Sequence, residues 1–154
     1  TAEEAWQCRV NDIENSVHLR SYDPIPAEWM DAGLAARWSR IRRVRQVVMS
    51  ALEKARNESA IGASLQAAPV IYVDAETRQA MHGLDAGSLF ITSDATISTD
   101  VAPDDAFRLE TVDDVAVAFA LADGEKCARC WRITPEVIEE GGICKRCESV
   151  VASA

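Results

Sequence analysis

Lys126-Cys127-Ala128-Arg129-Cys130-Trp131-Arg132, then Cys144-Lys145-Arg146-Cys147 with thirteen residues between the two cysteine pairs, is the stretch on which the reading of this chain turns. A C-x-x-C turn aims two thiolates at one point, and two such turns complete a tetrahedron. That geometry suits one Zn²⁺ held by four sulfurs at about 2.3 Å. A closed four-sulfur shell leaves no position for water or substrate. The metal is therefore expected to be structural, with any chemistry elsewhere. Iron and redox-active cysteine pairs are the other occupants of such a motif. Disulfides fit less well, because five cysteines is an odd number, Cys8 lies far from the rest, and 154 residues can bury a core without staples. Cys8 reads as a buried or half-buried thiol near a strand, behaving as a small hydrophobe with no role.

The bulk composition is that of an ordinary globular protein, 48% hydrophobic and 27% charged, with room for one domain or a few small units. No apolar run approaches the ~20 residues needed to span a membrane, and no signal-peptide pattern opens the chain. The expectation is a cytoplasmic monomer with no membrane contact. The chain begins Thr1-Ala2-Glu3-Glu4 without Met, which is the expectation for a piece of something longer or a processed product. The net charge of −9 argues against a generic nucleic-acid binder, because the whole-chain field repels phosphate. Charge is uneven, however. Seven basic residues and one acid lie between Arg37 and Arg56, a second basic zone surrounds the cysteines, and acids concentrate between Asp74 and Asp123.

Upstream of the cysteines, Ser16-Val17-His18-Leu19-Arg20 alternates like a short strand or extended segment, and Pro24 and Pro26 then interrupt the chain. From Ala27, apolar residues recur at Met30, Leu34, Trp38, Ile41, Val44, Val48, Leu52 and Ala55. These steps of three and four predict one long helix of roughly 30 residues with a buried stripe, ending near Gly62 as its cap. Val70–Val73 reads as a strand, and Asp74 as the cap of a short helix reaching about Gly83. Ser88–Thr92, Phe107–Val112 and Val115–Leu121 read as further strands. The fold class is thus α+β: a helical-bundle segment with a long helix (residues 1–68), a small α/β sheet unit (69–122) and a C-terminal four-cysteine zinc knuckle module (123–154).

Several ordered motifs then carry a resemblance. They are Trp29-x4-Leu34-x2-Arg37-Trp38, Val44-Arg45-x2-Val48, Ala51-Leu52-Glu53-x-Ala55-Arg56, Ile61-Gly62-x-Ser64-Leu65, Leu89-Phe90-Ile91-x-Ser93 and the two cysteine knuckles, preceded by Thr1-Ala2-Glu3-Glu4-x-Trp6 and Glu14-Asn15-Ser16-Val17-His18-Leu19. The series resembles the C-terminal third of a bacterial isoleucyl-tRNA synthetase, over essentially the whole chain. It departs from the family pattern at Met49 or Ser50, where Asn is frequent, at Gln66, where Glu is frequent, and in a shorter loop between the knuckles. The resemblance implies helical anticodon-binding elements, a junction unit and a zinc-binding unit. The family's His-Ile-Gly-His and Lys-Met-Ser-Lys-Ser type motifs are absent from these residues. This stretch alone is therefore not expected to activate isoleucine, and the catalytic and editing domains of a parent chain are expected partners.

An anticodon is single-stranded, and proteins read splayed bases by stacking and by hydrogen bonds to base edges. In the family the segment matching Arg129-Cys130-Trp131 is associated with anticodon recognition, which implies that role for Arg129 and Trp131. Lys126, Arg132, Lys145 and Arg146 are candidate phosphate contacts. Two roles stay open for Trp131: a base platform, or packing over the zinc shell. Lys126 and Lys145 either meet phosphate or screen the net −2 of a four-thiolate zinc site. Arg37 and Arg45 lie near the helix's apolar arc, as interior partners of acids or as contacts to tRNA, whereas Arg40, Arg42 and Arg43 point away and read as solvated. Trp38 belongs to the core stripe. His18, His82 and the paired aspartates Asp104-Asp105 and Asp113-Asp114 read as ordinary surface or core groups. The alternative to a tRNA-binding fragment is a stand-alone zinc-ribbon module that binds a protein or duplex DNA.

Overall fold

The apolar stripe of the long helix decides how the larger part of the molecule packs. Ile41, Val44, Val48, Leu52 and Ala55 are buried, and Val47 and Ala51 beside them widen the buried arc. The computed structural model describes residues 1–10 and 16–153. These divide into two compact units, Thr1–Ala32 and Gly33–Ala154.

In the first unit, helix α1 (Ala2–Val10) has no buried residue, so Cys8 is an exposed helical thiol and not one buried near a strand, and the helix is tied through one carboxylate. Glu3 accepts from the Ser16 hydroxyl at 2.9 Å and from the Val17 N–H at 3.0 Å. The Ser16 bond leads the set of contacts that hold the Glu3 carboxyl below the usual carboxylate range. Residues Val17–Leu19 form a 3-10 turn capped by Ser16, not the expected strand. Alternation alone cannot reveal that capping, because the partner carboxylate lies thirteen residues away. The Arg20 guanidinium lies 5.0 Å from the centre of the Trp6 ring. Of the motif Glu14-Asn15-Ser16, the first two residues lie outside the described residues.

Helix α2 (Ala32–Asn57) starts later than expected. Ala27–Trp29 is a separate 3-10 turn, and Met30 after it is extended and exposed. At the far end Ser59 adopts the left-handed conformation with φ 60°. The Ala60 N–H returns to the Ala55 carbonyl at 2.9 Å and the Ser59 N–H to Arg56 at 3.0 Å. This is a Schellman closure built on serine, so Ser59 and not Gly62 ends the helix.

The sheet has order β2-β1-β4-β3, with β1 (Val70–Val73), β2 (Thr96–Ser98), β3 (Phe107–Leu109) and β4 (Val112–Ala118). Strands β1 and β2 are parallel, and the other pairs are antiparallel. Register places Ile71 opposite Val117 and Val73 opposite Val115, and all four point into one core with the α2 stripe. Trp38 packs against that core, as its place in the stripe predicts. The crossover from β1 to β2 carries α3 (Ala75–Ala80), capped by Asp74 accepting from the Thr77 N–H at 2.6 Å, and α4 (Ala86–Phe90).

Helix α4 and β2 both depart from the sequence reading. Ser88–Thr92 alternates like a strand, yet Asp85 caps a helix there by accepting from the Ser88 N–H at 2.9 Å, and Ile91 ends it in the left-handed region. Phe90 is thereby driven into the core, fully buried. One edge strand of the sheet is Thr96–Ser98, in the Ser/Asp/Thr-rich stretch that follows, which carries no strand signal of its own. It is short, and so offers little unpaired edge. Among the described residues no helix is long and apolar enough to cross a membrane. Truncating Phe90 to Ala should destabilise this unit by about 3–5 kcal/mol, the range for deleting a buried aromatic ring, as read by urea unfolding followed by far-UV circular dichroism.

Candidate metal centre

The cysteines sit where a hairpin, a turn and a helix meet. Strands β5 (Glu125–Lys126) and β6 (Ile133–Thr134) pair antiparallel, and the first knuckle is the loop between them. Its closure is local: the Cys127 N–H donates to the Arg132 carbonyl and the Trp131 N–H to the Cys127 carbonyl, each at 2.9 Å. Trp131 takes φ 67°, left-handed and unusual for a bulky side chain. At the entry to the hairpin Gly124 has φ 100°, and a Cβ there would lie 2.3 Å from the Thr134 carbonyl carbon, so only glycine fits. The second knuckle opens helix α5 (Lys145–Ala152), with Cys144 as its N-cap residue.

The four sulfurs converge within 4.8 Å of one another. Cys130 Sγ and Cys144 Sγ lie 3.8 Å apart, and a tetrahedron with metal–sulfur bonds of about 2.3 Å has edges of about 3.8 Å. Cys127, Cys144 and Cys147 are buried and, with Val137, make up the whole core of this module. The donor set and its size fit one Zn²⁺. The thiols of Cys127 and Cys130 are shifted in opposite directions. Burial pushes the Cys127 thiol up, but N–H groups of Cys130, Cys144 and Arg129 outweigh it and bring it down to about 6. Burial raises Cys130, and the neighbouring thiols of Cys127, Cys147 and Cys144 add to the rise, to about 11. A second thiolate beside the first is opposed by its charge, and a bound cation relieves that opposition.

The residues singled out beside the cysteines divide into outward and inward groups. Lys126, Arg129, Trp131, Lys145 and Arg146 are exposed. Trp131 is 61% exposed and lines a cleft of about 300 Å³ opposite the turn Gly62–Gln66. Lys126 Nζ stands 5.2 Å from its ring centre. Arg129 Nη1 lies 3.8 Å from Cys147 Sγ, within reach of a zinc-bound thiolate. Arg132 turns inward, donating to Ser88 Oγ at 2.7 Å and approaching Asp85 at 3.5 Å, so it ties the hairpin to the start of α4.

Arg37 and Arg45 also point inward, at helix ends. Arg37 donates to the carbonyls of Ala80 at 2.6 Å and His82 at 3.0 Å, past the last turn of α3. Arg45 donates to Leu89 at 3.1 Å in the last turn of α4. Cations there satisfy orphan carbonyls and oppose the negative end of each helix dipole. Arg40 and Arg43, expected to be solvated, reach Glu76 at 2.5 Å and Asp114 at 3.3 Å. One functional group escaped the sequence reading. The Ser93 hydroxyl accepts from the Ile133 N–H at 2.6 Å and donates to the Leu65 carbonyl, joining β6 to the turn across the cleft. Its place in the Leu89-Phe90-Ile91-x-Ser93 motif was the only trace of it.

Residues 124–150 match the family model described as the zinc finger found in FPG and IleRS. The chain is 49% identical over 138 residues to the isoleucine–tRNA ligase of Agrobacterium fabrum, covering 89% of this chain and 14% of that protein. It is 45% identical over 154 residues to that of Ruegeria pomeroyi, covering 98% of this chain and 16% of that protein. The chain belongs to the isoleucyl-tRNA synthetase family. It spans about a seventh of the length of these curated relatives. The family match and the sulfur geometry together make the cluster a zinc site.

Zinc binding needs thiolates, so protons compete with the metal. Lowering the pH should release zinc, and zinc uptake at neutral pH should release protons, because Cys130 otherwise keeps its proton well above neutrality. Chelation should unfold residues 123–154 while the α2–sheet core persists, and limited proteolysis with and without chelator reads this directly. Unchanged cleavage of that segment would rule out a structural metal.

Proposed function

We propose that this chain is the anticodon-reading part of an isoleucyl-tRNA synthetase and that it contacts the anticodon region of isoleucine tRNA. The relatives it matches are named isoleucine–tRNA ligases. In this reading residues 1–68 belong to the helical anticodon-binding part, 69–122 form the junction and 123–154 the zinc module. The parent enzyme attaches isoleucine to tRNA with ATP in the cytoplasm. Catalysis belongs to domains outside these residues, and the chain acts as a monomer on one tRNA.

The observation that carries the reading is the placement of Trp131. A bulky ring in the left-handed region costs about 1–2 kcal/mol relative to an ordinary backbone conformation. That cost is met here to hold a largely exposed indole on a knuckle whose backbone the metal fixes. Preorganised aromatic faces of this kind stack unpaired bases. Lys126 beside the ring, and Lys145 and Arg146 at the second knuckle, supply cations for flanking phosphates, and Arg129 presents its remaining donors beside the zinc. Arg37, Arg45 and Arg132 act one step back: their hydrogen bonds to carbonyls and to Ser88 set the frame that carries the outward residues.

Competition binding at two salt concentrations tests this, with tRNA carrying the isoleucine anticodon against the same tRNA with that anticodon exchanged. A preference that survives added salt is expected, because base stacking and edge contacts are not screened as phosphate contacts are. Trp131→Ala should weaken binding by about 1–3 kcal/mol and remove the preference. Equal, steeply salt-dependent binding to both tRNAs would leave only phosphate attraction. A shift with duplex DNA and no tRNA preference would instead favour a zinc-ribbon interaction module.

A further inference from the structure

The cleft beside Trp131 has a second wall that the functional reading does not use. That wall is the turn Gly62-Ala63-Ser64-Leu65-Gln66, and Gln66 closes it on itself. Its Oε1 accepts from the Gly62 N–H at 2.6 Å and from the Ala63 N–H at 3.0 Å. Two backbone donors on one atom settle the orientation of this amide, since only the oxygen can accept. The exposed amide nitrogen, with its two N–H groups, is left to meet whatever enters. Leu65 and Ile133 give the cleft an apolar lining, and the Lys126 ammonium stands over the indole.

The two walls belong to distant parts of the sequence, yet they are pinned to each other. The buried Ser93 hydroxyl bridges Leu65 and Ile133, and the Ser93 N–H donates to the Ala67 carbonyl at 3.1 Å. The cleft is therefore preformed in the folded chain. At about 300 Å³ it lies at the small end of ligand sites, sized for one flat heterocycle. Its chemistry is an aromatic face, an apolar floor, one cation and a fixed hydrogen-bond donor.

We propose that this cleft takes a single unstacked nucleobase of the bound RNA, and that Gln66 selects bases that present a keto oxygen at the edge facing it, guanine O6 or uracil O4, over those that present an amino group there, adenine N6 or cytosine N4. Guanine O6 and uracil O4 accept hydrogen bonds where adenine and cytosine present amino donors. A side chain whose acceptor is already taken can only donate, so it pairs with the first class and opposes the second. The proposal rests on the RNA-binding reading of Trp131 and adds to it a residue that determines specificity.

The test follows the side-chain amide of Gln66 and the indole N–H of Trp131 by proton–nitrogen NMR in the zinc-loaded chain. The probes are guanosine, uridine, adenosine and cytidine 5′-monophosphates, then an RNA stem–loop with the isoleucine anticodon. Both signals should move with the guanosine and uridine nucleotides, with affinity about tenfold tighter than for the adenosine and cytidine nucleotides, the scale of one hydrogen bond made against one opposed. Gln66→Glu keeps an oxygen for the Gly62 and Ala63 N–H groups, and their unshifted amide signals would show an intact turn. Its second oxygen accepts, so the preference should reverse. If the indole moves equally for all four nucleotides while the Gln66 amide stays still, Gln66 reads nothing and the Trp131 platform stands. If neither signal moves with nucleotides or stem–loop, the RNA-binding reading falls as well.

Discussion

Four sulfurs around one zinc ion hold the part of this molecule that cannot hold itself. The α2–sheet unit buries Ile41, Val48, Ile71, Phe90, Val117 and their neighbours, enough apolar surface to order a chain of that length. Among the described residues, the module after residue 122 buries only Val137 beside its own cysteines. Hydrophobic burial on that scale cannot offset the conformational entropy of ordering some thirty residues. Metal ligation supplies the difference, and for such units ligation free energy is folding free energy. Every feature of the candidate RNA-facing surface inherits that dependence. The left-handed turn at Trp131, the position of Lys126 beside the ring and the reach of Arg129 to Cys147 are all set by a backbone that the metal fixes.

The module is not an independent bead, because polar contacts return it to the α/β unit. Arg132 meets Ser88 in α4, and Ser93 meets Ile133 on β6. These bonds come from one short region, α4 and the residues just after it. The same segment drives Phe90 into the core on one side and receives the hairpin on the other. The Asp85 carboxyl that caps α4 is held below the usual carboxylate range, first by the Ser88 N–H and further by Arg132. A depressed carboxylate stabilises the fold above its unfolded pKa and loses that effect as the pH falls through the folded value. Acid therefore acts on this junction and on the zinc thiolates in the same direction.

Much of this was legible beforehand, for identifiable reasons. The sulfur spacing specifies its tetrahedron almost by itself. The α2 stripe from Trp38 to Ala55 obeys helical periodicity, and Val70–Val73 is rich in β-branched residues, so those elements declare themselves locally. The failures share a cause as well. Ser88–Thr92 has strand-like alternation, but its conformation is decided by the Asp85 cap and by the demand that Phe90 reach the core. Thr96–Ser98 has weak strand character and becomes a strand because β1 offers it a free edge. The roles of Ser93 and Gln66 depend on partners that only the folded chain brings near. None of these can be read from periodicity, which sees a residue's neighbours in sequence and not its neighbours in space.

Net charge is the other place where sequence and structure part, and it bears on how an acidic chain meets a polyanion. The cluster of arginines on α2 looks like a phosphate-binding face when only the residues are counted. In the structure Arg40 and Arg43 meet Glu76 and Asp114, while Arg37 and Arg45 meet the carbonyl ends of α3 and α4. The acidic middle of the chain is in part the counter-charge of its basic helix. Arg42 on the same helix stays exposed, and around the metal Lys126, Arg129, Lys145 and Arg146 form a small outward basic rim. A rim of four cations on a body of net −9 gives weak long-range attraction and little non-specific affinity. Under the proposed reading, RNA binding would rest on short-range contacts to an indole, an amide and a preformed cleft. An acidic body thus favours discrimination over affinity: RNA that makes no base contact has little else to hold it.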